Sequence, residues 1–154
     1  MNIRKGEKGD LKQVLNLIKE LAEYENAIDE VIITIKDLER DGFSKTPSYH
    51  LLVAEIDGKI IGLSFYWIRY STWKGKVLFL EDFIVKTEYS RKGVGSRLFE
   101  ETIKVCKDLG LNGMFWQVLD WNTPAIDFYK KYNADISSSW LNGKLTKEQI
   151  SLIA

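Results

Sequence analysis

Across Gly93-Val94-Gly95 the spacing of apolar residues changes from two to about 3.6, and this change restricts the architectures open to the chain. Upstream, Val77 to Val85 is rich in β-branched and aromatic residues and reads as a strand, broken only by Glu81 and Asp82. Downstream, Val94, Leu98, Thr102, Val105 and Leu109 form one helical stripe, widened by Phe99 and Cys106, with Gly110 as its C-cap. Met114 to Leu119 is a further strand. Strand, glycine turn, helix and strand together predict a crossover onto a sheet.

The preceding segments supply that sheet. Met1 to Arg4 reads as a short strand, and Asp10 caps a helix in which Leu11, Val14, Leu15, Ile18 and Leu21 recur at helical spacing. Thr34 to Gly42 is a second, shorter helix. Leu51 to Ile56, the hairpin signal Asp57-Gly58, Lys59 to Tyr70, the turn at Trp73 to Lys76 and then Val77 to Val85 make three antiparallel strands. After the crossover, Asn122 caps a helix with Pro124 in its first turn and Ala125, Phe128, Tyr129 and Tyr132 on its buried side. A weak strand around Trp140 to Leu145 and a short helix opened by a Thr146–Gln149 capping box complete the order. A mixed α+β sheet covered by helices follows.

Composition narrows the function. The 154 residues suit one domain, and 22 basic against 22 acidic side chains leave no positive surplus for bulk nucleic-acid binding. Cys106 is the only cysteine, which fits a reducing, cytoplasmic setting, and no apolar run approaches the ~20 residues of a membrane span. His50 stands alone, so no metal site is expected.

The turn Glu88-Tyr89-Ser90-Arg91-Lys92-Gly93-Val94-Gly95-Ser96-Arg97 carries a candidate chemistry. A helix start exposes unpaired backbone N–H groups, and glycines let a phosphate come close to them. Gly93 and Gly95 would suit a diphosphate, with Arg91, Lys92 and Arg97 adding charge. The same glycines also serve simply to tighten a connection. The turn is neither a Walker loop nor a complete Rossmann triplet.

With these residues in view, the chain resembles the GNAT superfamily of N-acetyltransferases over nearly its whole length. Within it, the similarity is to the spermidine/spermine and thialysine acetyltransferase group. The turn matches the superfamily pattern at Gly93 and Gly95, although Ser90 occupies its first position and the arginine comes one place later, at Arg91. The segments LIKELAEYE (Leu17 to Glu25), KDLERDGF (Lys36 to Phe43), YSTWKGK (Tyr70 to Lys76), LEDFIV (Leu80 to Val85) and VLDWNTPAIDFYKKYNA (Val118 to Ala134) carry the closer likeness. YSTWKG and VLDWN look more like the thialysine branch. The acidic pair that the family places before its last-strand tryptophan is reduced to Ser137-Ser138-Ser139-Trp140, which weighs against spermidine or spermine.

The resemblance implies a single N-acetyltransferase domain over 1–154. Its sheet would be central, mostly antiparallel and twisted, with roughly six to seven strands and about four flanking helices. It implies acetyl-CoA as cosubstrate, no metal, a small cationic amine as acceptor and a homodimer. Phe83, Val85, Arg91, Lys92, Gly93, Val94, Gly95, Ser96, Arg97, Asn122 and Phe128 would then hold the cofactor, the amides of Val94 to Arg97 gripping its diphosphate. Tyr24, Glu25, Ser71, Trp73 and Asp82 would surround the acceptor.

An amine of pKa about 10.4 is protonated at neutral pH, and freeing its lone pair costs about 4 kcal/mol. A carboxylate meets both needs, attracting the cation and taking its proton. By resemblance Glu81 is the base, through water, Asp82 helps hold the amine, and Tyr129 is the general acid that protonates the departing thiolate. Adjacent strand positions point to opposite faces, so only one of Glu81 and Asp82 is expected in the cleft. The acidic stretch Glu20, Glu23, Glu25, Asp29 and Glu30 would favour cationic acceptors. Acetylation of a peptide lysine or an antibiotic amine, and a catalytically weak acyl-CoA-binding module, are the competing functions.

Overall fold

The computed structural model describes residues 1–153, which fall into two units, Met1–Gln117 and the segment from Val118 onward. The first contains β1 (Asn2–Lys5), α1 (Leu11–Tyr24), α2 (Ile35–Gly42), β2 (His50–Ile56), β3 (Lys59–Ser71), β4 (Gly75–Val85), α3 (Val94–Asp108) and β5 (Met114–Trp116). The second contains α4 (Thr123–Lys130) and α5 (Lys147–Ser151).

The sheet runs β1-β2-β3-β4-β5, antiparallel throughout except for the parallel β4–β5 pair that the α3 crossover requires. Local chemistry sets the turns. Asp57 and Gly58 take φ of 51° and 78°, both positive as a two-residue type I′ hairpin demands. Thr34 caps α2 and exchanges hydrogen bonds with Asp37, a capping box.

Helices cover both faces of this sheet. On one, Leu11, Val14, Leu15, Leu17 and Ile18 of α1 and Leu38 of α2 bury against Leu51, Val53, Ile60 and Leu63, with Phe65, Trp67 and Ile84 packed alongside. On the other, α3 lies close to the strands because Gly62 has no side chain: a Cβ there would stand 3.3 Å from both Leu98 and Ala54. The buried Ser64 and Thr102 hydroxyls meet at 2.8 Å, and Thr102 also donates to the Leu98 carbonyl, so neither polar group is stranded.

Three expectations are corrected. Five strands form the sheet among the described residues, against the six or seven expected. The stretch Trp140 to Leu145 is not a strand: Trp140 and Leu141 are exposed, and no described strand pairs with it. Its apolar residues are not enough without a partner edge. Asp10 does not cap α1 with its side chain. A 3₁₀ turn at Lys8–Asp10 intervenes, and the Asp10 carboxylate accepts from the Glu7 amide (2.7 Å) and from Arg4 (2.8 and 2.9 Å).

Those donors hold the Asp10 carboxyl below its usual range, chiefly through the Arg4 guanidinium. A folded-state pKa lowered in this way gives stability that is full above about 3.9 and is lost as pH falls through the depressed value. Asp10→Asn is therefore expected to lower the denaturant midpoint at pH 7. The gap from the native chain should close in acid, and a gap independent of pH would refute the ion pair's contribution.

Candidate active site

At the start of α3 the backbone forms an open cradle. Gly93 is left-handed (φ 79°) and Arg91 also has positive φ (61°), so the chain doubles back before the helix begins. No side chain caps this end, and a Cβ placed on Gly93 would meet nothing within 4 Å. The space beside Gly93 is therefore open, although Val94, the first helical residue, is buried. The Arg97 N–H closes the first turn onto Gly93 O (3.1 Å), which corrects the expected amide contact from Arg97. Val94, Gly95 and Ser96 begin the helix with N–H groups that have no acceptor four residues back. Ser90 Oγ donates to Thr87 O within its own turn, while Lys92 lies over the Tyr89 ring at 5.8 Å. Arg91, Lys92 and Arg97 are all exposed. Such a cradle suits a diphosphate, and hence the cofactor expected from the sequence.

One strand away, the β3–β4 register slips. Phe65 faces Asp82 and Tyr66 faces Leu80, so Glu81 is the extra residue of a β-bulge. The bulge overturns the expectation that Glu81 and Asp82 point to opposite faces. Asp82 lies across from Phe65, and Glu81 Oε2 accepts from the indole N–H of Trp67 at 2.9 Å. Phe65 and Trp67 are alternate residues of β3, so they share a face and bring both carboxylates to it. This is the α1 side.

Burial there pushes the half-buried Asp82 carboxyl up to about 7, with added repulsion from Glu81 and from Glu25 at the end of α1. Burial raises Glu25 as well. Glu20, from the same acidic stretch, pairs with Lys86 at 3.7 Å. Glu25, Glu81 and Asp82 have no ion-pair partner among the described residues.

Beyond the bulge, β4 outruns its neighbour. Parallel pairing with β5 ends at Leu80–Trp116, while β4 continues through Phe83 and Val85. Phe83 packs edge-on against Phe99 of α3 at 5.6 Å, and Val85 joins the α3-side core.

The remaining site residues are more scattered. Tyr24 is the exposed last residue of α1. Ser71 and Trp73 sit at the β3–β4 hairpin, where Ser71 Oγ accepts from the amides of Trp73 (3.2 Å) and Lys74 (3.1 Å). Ser71 faces Gly75, six residues along β4 from Glu81, or roughly 20 Å at strand rise. The structure does not bring them to the carboxylates. In the second unit, Asn122 caps α4 by accepting from the Ala125 amide at 3.4 Å. Tyr129 is the buried residue of α4, with Phe128 edge-on to it at 5.5 Å.

Trp67 was not among the residues singled out from sequence, and its only signal is an indole in an alternating strand. His50 is half-buried and stacked on Tyr66, and Cys106 donates to Gly113 O; both look structural. Among the described residues, no group of His, Cys, Asp and Glu is arranged to hold a metal, and no helix is long and apolar enough to cross a membrane.

Comparison with known proteins places the chain in a family. Residues 11–134 match the acetyltransferase (GNAT) family. The chain is 44% identical over 140 residues to the thialysine N-epsilon-acetyltransferase of Bos taurus, covering 86% of this chain and 82% of that one. It is 30% identical over 146 residues to the enzyme of that name from Caenorhabditis elegans, covering 93% and 90%. In fold it is similar to an aminoglycoside acetyltransferase from an uncultured soil metagenomic sample, with TM-score 0.78, 20% identity and coverage of 94% and 96%. The matched span includes the α3 cradle, the β4 carboxylates and Tyr129, and the chain belongs to the acetyltransferase (GNAT) family.

Proposed function

We propose that this acetyl-CoA-dependent acetyltransferase moves its acetyl group directly onto the primary amine of a small cationic acceptor, a thialysine- or lysine-like amino acid or a diamine, in a ternary complex. The observation that carries this reading is the bulge at Glu81. It gathers Glu25, Glu81 and Asp82 on one face without a basic partner, a field that draws in an ammonium group and repels acidic substrates. The names of the bovine and nematode relatives point to the same acceptor class.

Acetyl-CoA supplies the thioester. The amides of Val94, Gly95 and Ser96 would hold its diphosphate, with Arg91, Lys92 and Arg97 adding positive charge and Phe83 and Val85 lying along its arm. On sequence resemblance alone, Asn122 and Phe128 complete the cofactor set, and Tyr129 returns a proton to the departing sulfur. One N-acetyltransferase domain over 1–154, working as a homodimer, belongs to the same reading.

The test is a thiol-release assay with acetyl-CoA and a panel of thialysine, lysine, ornithine, short diamines, spermidine, spermine, a lysine peptide and an aminoglycoside. Release is expected to be fastest with the small amino-acid and diamine acceptors. No release above background with any amine would defeat the proposal. Preference for the peptide or the aminoglycoside would move the chain to a different acceptor class.

A further inference from the structure

We propose that the chain has a second binding site, at the end of α3 remote from the cradle, which takes a small zwitterion: a free amino acid with an apolar side chain. This site stands apart from the question of which amine is acetylated.

It follows from how α3 meets the strands. The helix stripe is sealed at Val94, Leu98 and Thr102, but Val105 is only half-buried and Leu109 is 60% exposed. Strand parity shows what lies opposite. Ser64 meets Thr102 of α3, so Tyr66, two residues along β3, faces the same side, as does its register partner His50. Ser64 pairs with Leu52 and Leu52 with Lys5, which brings Lys5 to that side as well. Polar side chains thus stand where an apolar floor would have closed the stripe. Between them and Val105, Asp108 and Leu109 is a cavity of about 470 Å³, a size typical of small-molecule sites. Because α3 has 15 residues, the cavity lies roughly 20 Å from the cradle.

The polar groups around it are unmatched. Tyr66 is 5% exposed, yet its hydroxyl has no hydrogen-bond partner among the described residues. Every fully enclosed side-chain nitrogen or oxygen among those residues does have one, so this hydroxyl opens into the cavity that it lines. Lys5 and Asp108 also lack an ion-pair partner among the described residues. Lys5 belongs to the strand side, and Asp108 faces it from α3. The Lys5 ammonium and the Tyr66 hydroxyl can both donate to a carboxylate, while Asp108 can accept from an ammonium. Val105, Leu109 and the neighbouring Phe43 then enclose a hydrocarbon side chain. A simple anion would leave Asp108 unmatched, and a simple cation would leave Lys5 so. His50, stacked on Tyr66 at 5.5 Å, keeps that ring in place.

His50 is also the only histidine, so its imidazole proton resonances are identified without assignment. The experiment titrates the full chain at neutral pH with phenylalanine, 3-phenylpropionate and phenethylamine, which share a ring but carry both charges, the negative one or the positive one. Phenylalanine is expected to move the His50 resonances saturably, about 10-fold more tightly than either analogue, and to raise the thermal midpoint. Tyr66→Phe, Lys5→Gln and Asp108→Asn should each weaken phenylalanine by about 10-fold. Asp108→Asn should spare 3-phenylpropionate, whereas Lys5→Gln should weaken it.

The proposal is overturned if phenylalanine leaves the His50 resonances unmoved, if either analogue binds as tightly, or if affinity is unchanged in the variants. A raised thermal midpoint without a His50 response would put the amino acid elsewhere and overturn it too. Should Tyr66→Phe fail to fold, Lys5→Gln and Asp108→Asn, both at exposed positions, decide.

Discussion

Tyr129→Phe is expected to lower kcat by on the order of 10²- to 10³-fold while leaving acetyl-CoA affinity close to that of the native chain. The substitution removes one hydroxyl and keeps the ring that packs edge-on against Phe128. Because Tyr129 is buried within α4, a short helix already fixed by the Asn122 cap and Pro124, the ring stays where the fold needs it. Loss of a proton donor acts on the step in which sulfur departs, so kcat should fall without a matching rise in the dissociation constant. Steady-state kinetics and equilibrium titration, run side by side, separate the two. Parallel loss of turnover and binding would show that the hydroxyl is a structural group and not the acid.

The largest expected effect on stability comes from Phe99→Ala, about 3–5 kcal/mol. Phe99 is 1% exposed and stands edge-on to both Phe83 of β4 (5.6 Å, 78°) and Trp116 of β5 (5.6 Å, 87°). Edge-to-face pairs add to the area term, and two of them meet in this one ring. Its removal would leave a cavity between α3 and the strands on either side of the crossover. Urea unfolding should show a much lower midpoint, and a shift worth less than about 1 kcal/mol would mean that the neighbours collapse into the space. Since the cradle opens the same helix, acetyl-CoA affinity should weaken in the variant even where it remains folded.

What could be read from the residues alone follows from how local each signal is. Asp57-Gly58, the Thr146–Gln149 box and the Asn122 cap are each settled within four residues, and each forms as expected. The stripe from Val94 to Leu109 declares α3 by its period. The glycine turn is equally legible, since only backbone conformation and an open helix start are required of it. The bulge is not, because it exists only in the register between β3 and β4 and no local pattern in either strand announces it. The Trp67–Glu81 hydrogen bond depends on that register and so was hidden for the same reason. Trp140 to Leu145 failed in the opposite sense: β-like residues were present, but a strand is made by its neighbour. Ser71 and Trp73 were joined to the site by motif, and the length of β4 sets them apart from it.

The extra residue at Glu81 also reverses the parity of β4. Ahead of it, odd-numbered Phe79 tilts against Trp67 toward α1; behind it, even-numbered Asp82 and Ile84 face that way, while Phe83 and Val85 turn toward α3. Ironing the strand flat would push a carboxylate beneath α3 and expel an aromatic ring from among Phe99 and its neighbours. The greasy layer under the helix thereby polices the reading frame of the acidic pair, and deletion of Leu80 or Phe83, unlike removal of Glu81 itself, should damage chemistry and folding together.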